Sequence, residues 1–330
     1  MESLFPDREL LGPIGPKVVA FGGGHGLSAT LRALRHITTS LTAVVTVADD
    51  GGSSGRLRRE LGIIPPGDLR MALAALCDDS QWGVTWRDAL QHRFETDSEL
   101  NGHALGNLLI ATMWDLLDDP IEGLDWVARL LGARGRVLPL ALDPMEIAAN
   151  VETGSGVVEV HGQAQVATAR GRVLDVWMTP NSPEVSPDVT ANIRAADYLV
   201  FGPGSWYTSV IPHLLVPEVA RAATEAKARK ILVMNLQAQT AETTGLTLAD
   251  HIRAVRHYAP NLVFDAVLVD PSAVDDFNDL EDALADCGTH MLMRQVRVGD
   301  GSAKHDPLRL AAALRDSFDG YFSEVGIQEW

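Results

Sequence analysis

The sequence predicts an α/β protein with a doubly wound, Rossmann-like sheet that is mostly parallel and carries helices on both faces. Three observations lead to this prediction. Short apolar runs rich in β-branched residues alternate with helix-compatible segments along most of the chain. Three of these runs lead into loops rich in glycine and serine. Short strand-like runs separated by glycine turns, within residues 136–180, predict a β-rich insert.

The first strand, turn and helix begin at Lys17. Lys17 to Phe21 is an apolar run that suits a buried parallel strand, and a helical pattern starts near Leu27. The turn between them consists of Gly22, Gly23, Gly24, His25 and Gly26. Glycine lets the backbone approach a ligand closely, and the start of a helix attracts anions. The turn therefore predicts a phosphate site, with the G-x-G-x-x-A spacing of a dinucleotide-type loop.

A second apolar run, Thr42 to Ala48, leads into a loop of carboxylates, glycines and serines. The loop residues are Asp49, Asp50, Gly51, Gly52, Ser53 and Ser54, and Arg56 follows them. Because the carboxyl ends of parallel strands share one edge of the sheet, we expect this loop to lie beside the first turn. Its N–H and hydroxyl groups and Arg56 can bind phosphate, and Asp49 and Asp50 can hold a ribose or Mg²⁺.

A third loop, at residues 202–205, follows the apolar run 197–201 and has the sequence Gly-Pro-Gly-Ser. We expect Gly202, Gly204 and Ser205 to lie at the same sheet edge, with Asn235 at the end of the next predicted strand. The pattern around Ser205 lacks the G-x-S-x-G spacing of a hydrolase nucleophile. No convincing His and acid partners follow in the expected order, so we exclude a hydrolase triad.

Three further polar residues stand in apolar surroundings. Asp68 follows two prolines and a glycine at a predicted helix start, where N-capping alone would explain it. His103 and Asn107 are four residues apart and share one face of the next predicted helix, so both need polar partners. At these positions the residues themselves fit either a structural role or a place in a ligand-binding cleft.

The rest of the chain continues the alternation of helices and strands. Predicted helices cover residues 86–94, 104–117, 121–131, 246–258 and 307–318. Predicted strands cover residues 137–140, 157–160, 173–178, 197–201, 231–235, 262–269 and 288–298. We expect a flexible N-terminal arm over residues 1–16 and a single domain over 17–330, because no linker-like stretch divides the chain.

Composition excludes several classes of partner. The 330 residues are 46% hydrophobic and 22% charged, as in globular proteins, and the net charge is −17. That charge argues against a nucleic-acid or anionic-membrane surface, which needs a basic field. The two cysteines, Cys77 and Cys287, have no metal-ligand spacing. With no apolar run near the ~18 residues of a membrane span and no signal-peptide pattern, we expect a cytoplasmic protein without membrane insertion.

Several segments closely resemble the YvcK family. They are FGGGHGLSATLRAL, VTVADDGGSSGRLR, PPGDLR, GHALGNLLIA, FGPGSWYTSVIPHLLVPE and ADHIRAV. Members of this family are described as gluconeogenesis factors and are grouped with the CofD phospholactate transferases in a CofD-like superfamily. The resemblance runs from about Lys17 to about Asp306, so it implies one CofD-like domain. It also implies that Asp68, His103 and Asn107 line the cleft.

The resemblance implies a regulatory protein that binds UDP-sugars such as UDP-N-acetylglucosamine and UDP-glucose. It further implies support of cell shape and peptidoglycan synthesis on gluconeogenic carbon sources. A homodimer and phosphorylation by a serine/threonine kinase are expected on the same ground. The residues alone predict a nucleoside diphosphate or dinucleotide ligand, and they assign no catalytic residue.

Two enzymatic alternatives remain open to different degrees. A CofD-like 2-phospho-lactate transferase would move a phospholactyl group from a nucleotide-diphosphate donor to a deazaflavin, with Mg²⁺ on Asp49 or Asp50. The second loop, Asp-Asp-Gly-Gly-Ser-Ser-Gly-Arg, resembles the YvcK form rather than the transferase form. A nicotinamide dehydrogenase rests on the first turn alone, because no pattern for hydride transfer accompanies it.

Overall fold

The computed structural model describes residues 14–237 and 245–320. The strands are β1 (Val18–Gly22), β2 (Leu41–Val45), β3 (Arg136–Pro139), β4 (Glu146–Thr153), β5 (Gly156–His161), β6 (Arg172–Thr179), β7 (Tyr198–Phe201), β8 (Arg229–Val233), β9 (Ala266–Val269) and β10 (His290–Met293). The helices are α1 (Gly24–Leu34), α2 (Gly52–Leu61), α3 (Gly67–Leu76), α4 (Gln81–Gln91), α5 (Leu105–Leu117), α6 (Pro120–Leu131), α7 (Gln163–Thr168), α8 (Pro187–Ala195), α9 (Pro212–Leu215), α10 (Pro217–Glu225), α11 (Leu248–Tyr258), α12 (Phe277–Ala285) and α13 (Pro307–Phe318). A π-helix covers Trp206–Val210 and a short 3₁₀ helix covers Pro271–Ala273.

Within residues 14–237 and 245–320, seven strands form one parallel sheet in the order β10-β9-β8-β7-β1-β2-β3. Strands β1 and β2 are continuous apolar runs and are buried throughout, as parallel strands covered on both faces require. The chain builds outward from β1 toward β3 and then from β7 toward β10, so the order reverses between β1 and β7. The predicted doubly wound fold is confirmed.

The β-rich insert is a separate antiparallel sheet with the order β5-β4-β6. The strands predicted at 157–160 and 173–178 are confirmed as parts of β5 and β6. The strand predicted at 137–140 is β3 and lies at the edge of the main sheet. Strand β4 escapes the sequence prediction because Ala148, Ala149 and Asn150, which have low strand propensity, interrupt its apolar residues, whereas pairing on both sides supplies its hydrogen bonds.

Several predicted boundaries move by a few residues. The helix predicted over 86–94 begins at Gln81, because the Ser80 hydroxyl caps it by accepting the Gly83 N–H at 3.1 Å. Strands β9 and β10 occupy only the centres of the runs predicted over 262–269 and 288–298. Helices α5, α6 and α13 lie where the sequence predicts them, with Pro120 at the first position of α6.

Of the arm predicted over residues 1–16, residues 1–13 lie outside the described part of the chain. The Ile14 N–H donates to the Thr39 hydroxyl at 2.8 Å, and the Thr39 N–H donates to the Ile14 carbonyl at 2.9 Å. In the described ranges, no helix has the length and apolar character that crossing a bilayer would take.

Candidate functional site

A cavity of about 240 Å³ opens where the chain leaves the carboxyl end of β2. Two segments and two separate polar side chains line it. The segments are the second loop, with Asp49 and Gly51 to Ser54, and the first turns of α3, with Gly67, Asp68, Arg70 and Met71; the side chains are those of Arg93 and Asn107. The second loop and the predicted residues Asp68 and Asn107 therefore meet around one space.

A larger cavity of about 470 Å³ lies at the opposite, amino ends of β1, β2 and β3. Its wall includes Lys17, Thr42 and Arg136. The Arg136 guanidinium already pairs with Asp125 and Asp188, each at 2.7 Å. Because ligands of doubly wound sheets bind at the carboxyl ends of the strands, we place the functional site in the smaller cavity.

Asp49 begins the second loop as a partly buried carboxylate. Its Oδ1 accepts the Gly51 N–H at 3.0 Å, and the Ser54 hydroxyl donates to it. Burial raises the pKa of Asp49, and the charge of Asp50 adds to the effect. Helix α2 starts directly after this turn with no acidic residue in its first turn, so its free N–H groups and positive dipole end add a favourable potential for an anion.

Asp68 does not cap its own helix, since Pro66 holds the N-cap position of α3 and no side-chain cap bond forms. Instead the Asp68 carboxylate accepts the Gly24 N–H of the first glycine turn. A Cβ on Gly23 would lie 2.5 Å from Asp68 Oδ2, so this close approach requires glycine. Burial raises the pKa of Asp68 to about 7, and the charge of Asp49 adds to the shift.

Arg70 is a cation that the sequence prediction missed. Its side chain is 4% exposed, yet it contributes to the cavity wall. Its Nε donates to Asn107 Oδ1 at 2.9 Å, and its Nη1 donates to Gln91 Oε1. Among the described residues no carboxylate forms an ion pair with it. Burial lowers the pKa of Arg70 to about 10, so it stays charged at neutral pH.

The Ser53 hydroxyl is fully used by protein groups. Its oxygen accepts the Asn107 Nδ2–H at 3.1 Å and the Ala104 N–H at 3.3 Å. Both partners donate, so the hydroxyl proton goes to His103 Nδ1 at 3.1 Å, which makes His103 a neutral acceptor there. Burial and the nearby charge of Arg56 lower the pKa of His103, which agrees with a neutral imidazole that accepts the Ser53 hydroxyl proton. Ser53, His103 and Asn107 thus form a connected polar network, of which Ser53 and Asn107 line the cavity.

Two predicted ligand residues of the second loop, Asp50 and Arg56, form hydrogen bonds to other parts of the protein. Asp50 Oδ1 accepts the Ala164 N–H at 3.0 Å, which ties the loop to the first turn of α7 in the insert. The Arg56 guanidinium donates to the Glu99 carbonyl at 3.1 Å and to the Asn101 carbonyl at 2.6 Å. Asp50 is therefore hydrogen-bonded to the insert, and the charge of Asp49 raises the pKa of Asp68.

The first and third loops pack against each other where the strand order reverses. A Cβ on Gly26 would lie 2.2 Å from the Pro203 carbonyl oxygen, so no larger residue fits there. The Thr30 hydroxyl donates to the Gly202 carbonyl at 2.8 Å. The structure thus brings the predicted glycines of both loops together.

Asn235 lies beside the third loop but satisfies the peptide groups of Gly204. Its Oδ1 accepts the Gly204 N–H at 3.0 Å and its Nδ2 donates to the Gly204 carbonyl at 2.8 Å. Ser205 precedes the π-helix, and His25 is exposed at the start of α1. Gln237 is described, and the segment 238–244 that follows lies outside the described residues.

The donor set fits Mg²⁺ bound together with phosphate. Mg²⁺ commonly takes one or two protein carboxylates and completes its shell with phosphate oxygens and water. Burial raises the pKa values of Asp49 and Asp68, and a neighbouring carboxylate charge adds to each shift, so a cation bound at these two carboxylates would favour their charged forms. Across residues 14–237 and 245–320, no three or more His, Cys, Asp or Glu side chains gather as a self-sufficient metal site.

One missed residue left a signal in the sequence. Arg70 is the single basic residue in the otherwise apolar run that follows Asp68, and a charge in a buried helix needs polar partners. Gln91 and Arg93 stand in a polar segment, QHRFE, where nothing distinguishes them from a solvated surface. Only the packing of α4 against α3 and α5 shows their place beside the cavity.

Comparison with known proteins agrees with this architecture. The model of the family described as "2-phospho-L-lactate transferase CofD" matches residues 18–287. A Mycobacterium tuberculosis protein named "Putative gluconeogenesis factor" is 45% identical over 308 residues, covering 90% of this chain and 89% of the relative. The "Gluconeogenesis factor" of Bacillus subtilis is 41% identical over 261 residues, covering 79% and 80%.

A solved structure gives the same result. The crystal structure of a Bacillus halodurans protein described as a member of the UPF0052 family superposes with a TM-score of 0.82 at 35% identity. The match covers 91% of this chain and 99% of that one. Since the family model spans most of the chain and the relatives align over most of their length, this chain belongs to the CofD family, among its gluconeogenesis factors.

Proposed function

We propose that this protein binds the diphosphate of a UDP-sugar, UDP-N-acetylglucosamine or UDP-glucose, in the cavity beside β2, and acts as a regulatory protein. The observation that carries the proposal is Arg70. It is a buried guanidinium that faces the cavity and is held by two neutral side-chain amides. A buried cation without an anionic partner is costly, and a bound phosphate would supply that partner.

Two further features add to the local positive potential. Arg93 lines the same cavity and is oriented by its bond to the Gly102 carbonyl at 2.9 Å. The first turn of α2 presents its N–H groups between Gly52 and Ser54. Because the protein carries a net charge of −17, an anion must be held by such local groups rather than by the overall field.

Mg²⁺ is part of the proposal. Asp49 and Asp68 would repel a diphosphate in the same cavity unless a cation lies between them and the phosphate oxygens. A divalent ion on these two carboxylates would link them to the ligand and neutralise its charge. The neighbouring first and third loops extend the carboxyl edge on which the sugar and nucleoside would lie.

The test is isothermal titration with UDP-N-acetylglucosamine, UDP-glucose, NAD and GDP, each with and without Mg²⁺. We expect UDP-sugar binding that Mg²⁺ strengthens, and Arg70→Met is expected to weaken it by at least about 30-fold. Arg59→Met, which removes the same charge from the exposed side of α2, is the matched control and should bind like the wild type. Correctly folded wild-type protein that binds none of the UDP-sugars would overturn the proposal.

A second candidate function is the CofD-type transfer of a phospholactyl group from a nucleotide-diphosphate donor to a deazaflavin alcohol. It is favoured by the family model and by the paired carboxylates Asp49 and Asp68, which suit an Mg²⁺-bound diphosphate leaving group. Incubation with donor, deazaflavin alcohol and Mg²⁺, followed by mass analysis, would decide. If the wild type forms the product and Asp49→Asn does not, the protein is a transferase. UDP-sugar binding without product supports the regulatory function.

The proposed cellular role is support of cell shape and peptidoglycan synthesis during growth on gluconeogenic carbon sources. The names of the relatives are the support for the carbon-source part of this role. A host strain that lacks this gene is expected to lose normal shape on such a carbon source. Wild-type protein should restore it, and Arg70→Met should fail to do so if ligand binding is required. Dimer formation and phosphorylation stay predictions.

A further inference from the structure

We propose that Gln91 is a positioning residue that holds the Arg70 guanidinium with a neutral acceptor and thereby keeps its charge free for a bound anion. This inference rests on the proposed function and names a residue that specifies the charge of the ligand. Gln91 ends α4 and is exposed, so its side chain has other conformations open to it. Its Oε1 nevertheless accepts an N–H of the buried Arg70 Nη1.

The acceptors around Arg70 are both amides. Asn107 Oδ1 takes the Nε–H at 2.9 Å and Gln91 Oε1 takes an N–H of Nη1. These bonds fix the plane of the guanidinium through its Nε and Nη1 groups. The Nη2 group has no hydrogen-bond partner among the described residues, so it is available to the cavity that Arg70 lines. An arginine fixed in advance loses less side-chain entropy when it binds phosphate.

The amides fit the role better than carboxylates would. A carboxylate at either position would form a charge-assisted, bidentate pair with Arg70 and compete with the incoming phosphate. Asp49 and Asp68 do raise the pKa of Arg70 through their charges, but neither forms an ion pair with it in the described part of the chain. The guanidinium therefore keeps unsatisfied capacity for an anion.

The backbone is built to admit this arrangement. A Cβ on Gly106 would lie 2.8 Å from Cγ of Arg70 and 2.7 Å from Cδ2 of Leu90. Glycine at the start of α5 thus leaves room both for the aliphatic stem of Arg70 and for the last turn of α4. That close packing is what places Gln91 next to a residue of α3.

The experiment compares Gln91→Glu with the wild type in two measurements, UDP-sugar titration with Mg²⁺ and thermal unfolding. The substitution is nearly isosteric and places a carboxylate on Arg70. We expect affinity to fall by about tenfold, the size of one charge-assisted contact, while Tm rises because the buried cation gains an ion pair. A residue with a merely structural role would lower Tm and affinity together.

Gln81→Glu is the matched control, since it adds the same charge about 15 Å away at the other end of α4. It should leave affinity unchanged. A second variant, Gln91→Met, removes the acceptor without adding charge, and we expect weaker binding with no rise in Tm. If the wild type binds the UDP-sugar and Gln91→Glu binds it with the same affinity, the positioning role of Gln91 is overturned and the proposed function is not. Wild-type protein that binds no UDP-sugar would overturn the proposed function, and this role with it.

Discussion

The carboxylate of Asp50 accepts the backbone N–H of Ala164 at 3.0 Å, which joins the second loop of the main sheet to the insert. A Cβ on Gly162 would lie 2.2 Å from Asp50 Oδ2, so the backbone of the insert approaches this carboxylate closely. The adjacent carboxylates of Asp49 and Asp50 therefore have different roles. Asp49 faces the cavity, and Asp50 anchors the insert.

A substitution at Asp50 that removes the acceptor oxygen should change the stability of the protein, whereas a substitution at Asp49 should change ligand binding. Asp50→Ala is expected to destabilise the protein by about 1 kcal/mol through loss of the bond to the first turn of α7. Asp50→Asn keeps an acceptor oxygen and should have little effect. Asp49→Asn should instead remove the dependence of ligand affinity on Mg²⁺. Urea unfolding and titration of the three variants would check this, and loss of Mg²⁺ dependence in Asp50→Asn would contradict it.

Gly26→Ala should disrupt the contact between the first and third loops. The new Cβ would lie 2.2 Å from the Pro203 carbonyl oxygen, a backbone atom that cannot move aside cheaply. We expect a loss of about 2–3 kcal/mol in the free energy of unfolding. Gly299→Ala is the control, because its Cβ would meet no atom within 4 Å. Equal stability of the two variants in urea would refute the packing described here.

Asp68→Asn should alter how stability depends on pH. The native carboxyl titrates at about 7 and the unfolded one at about 3.9, so the native state binds more protons between these values. The contribution of Asp68 to the free energy of unfolding therefore falls as pH rises from about 4 to about 7.

The Asn variant lacks that decline and still has an oxygen that can accept the Gly24 N–H. Its stability relative to the wild type should rise by about 3–4 kcal/mol over this range and level off above it. Urea unfolding at several pH values would measure the difference. A difference that does not change with pH would show that the pKa of Asp68 is ordinary.

Ser53→Ala should reduce stability more than ligand affinity. Its loss leaves the Ala104 N–H and one Asn107 N–H without an acceptor, at a cost of about 1–3 kcal/mol. The hydroxyl itself is already satisfied by three protein groups, so a ligand gains little from it. Chemical unfolding and titration of one preparation would test both effects. Unchanged stability with lost binding would mean that Ser53 contacts the ligand directly.

The pattern of the sequence is enough to predict the sheet and the edge of it where the candidate site lies. Buried parallel strands such as β1 and β2 are continuous, mainly apolar runs, so adjacent residues are enough to predict them as strands. The glycine turn at Gly22 to Gly26 is likewise recognised from adjacent residues. Strand β4 shows where prediction from local sequence fails, because pairing with β5 and β6 stabilises it and its own residue types do not single it out as a strand.

By itself the sequence pattern determined that the second loop lies at the carboxyl edge, and the family resemblance added Asp68, His103 and Asn107. All of them reach one cavity or the polar network joined to it. Only the tertiary structure decided what each of them contacts. Arg70 enters the cavity because Gly106 leaves space for its stem, and Asp50 turns to the insert because Ala164 lies beside it. A side chain's partners come from segments distant in the chain, and hydrogen bonds are directional, so adjacency in sequence cannot specify them.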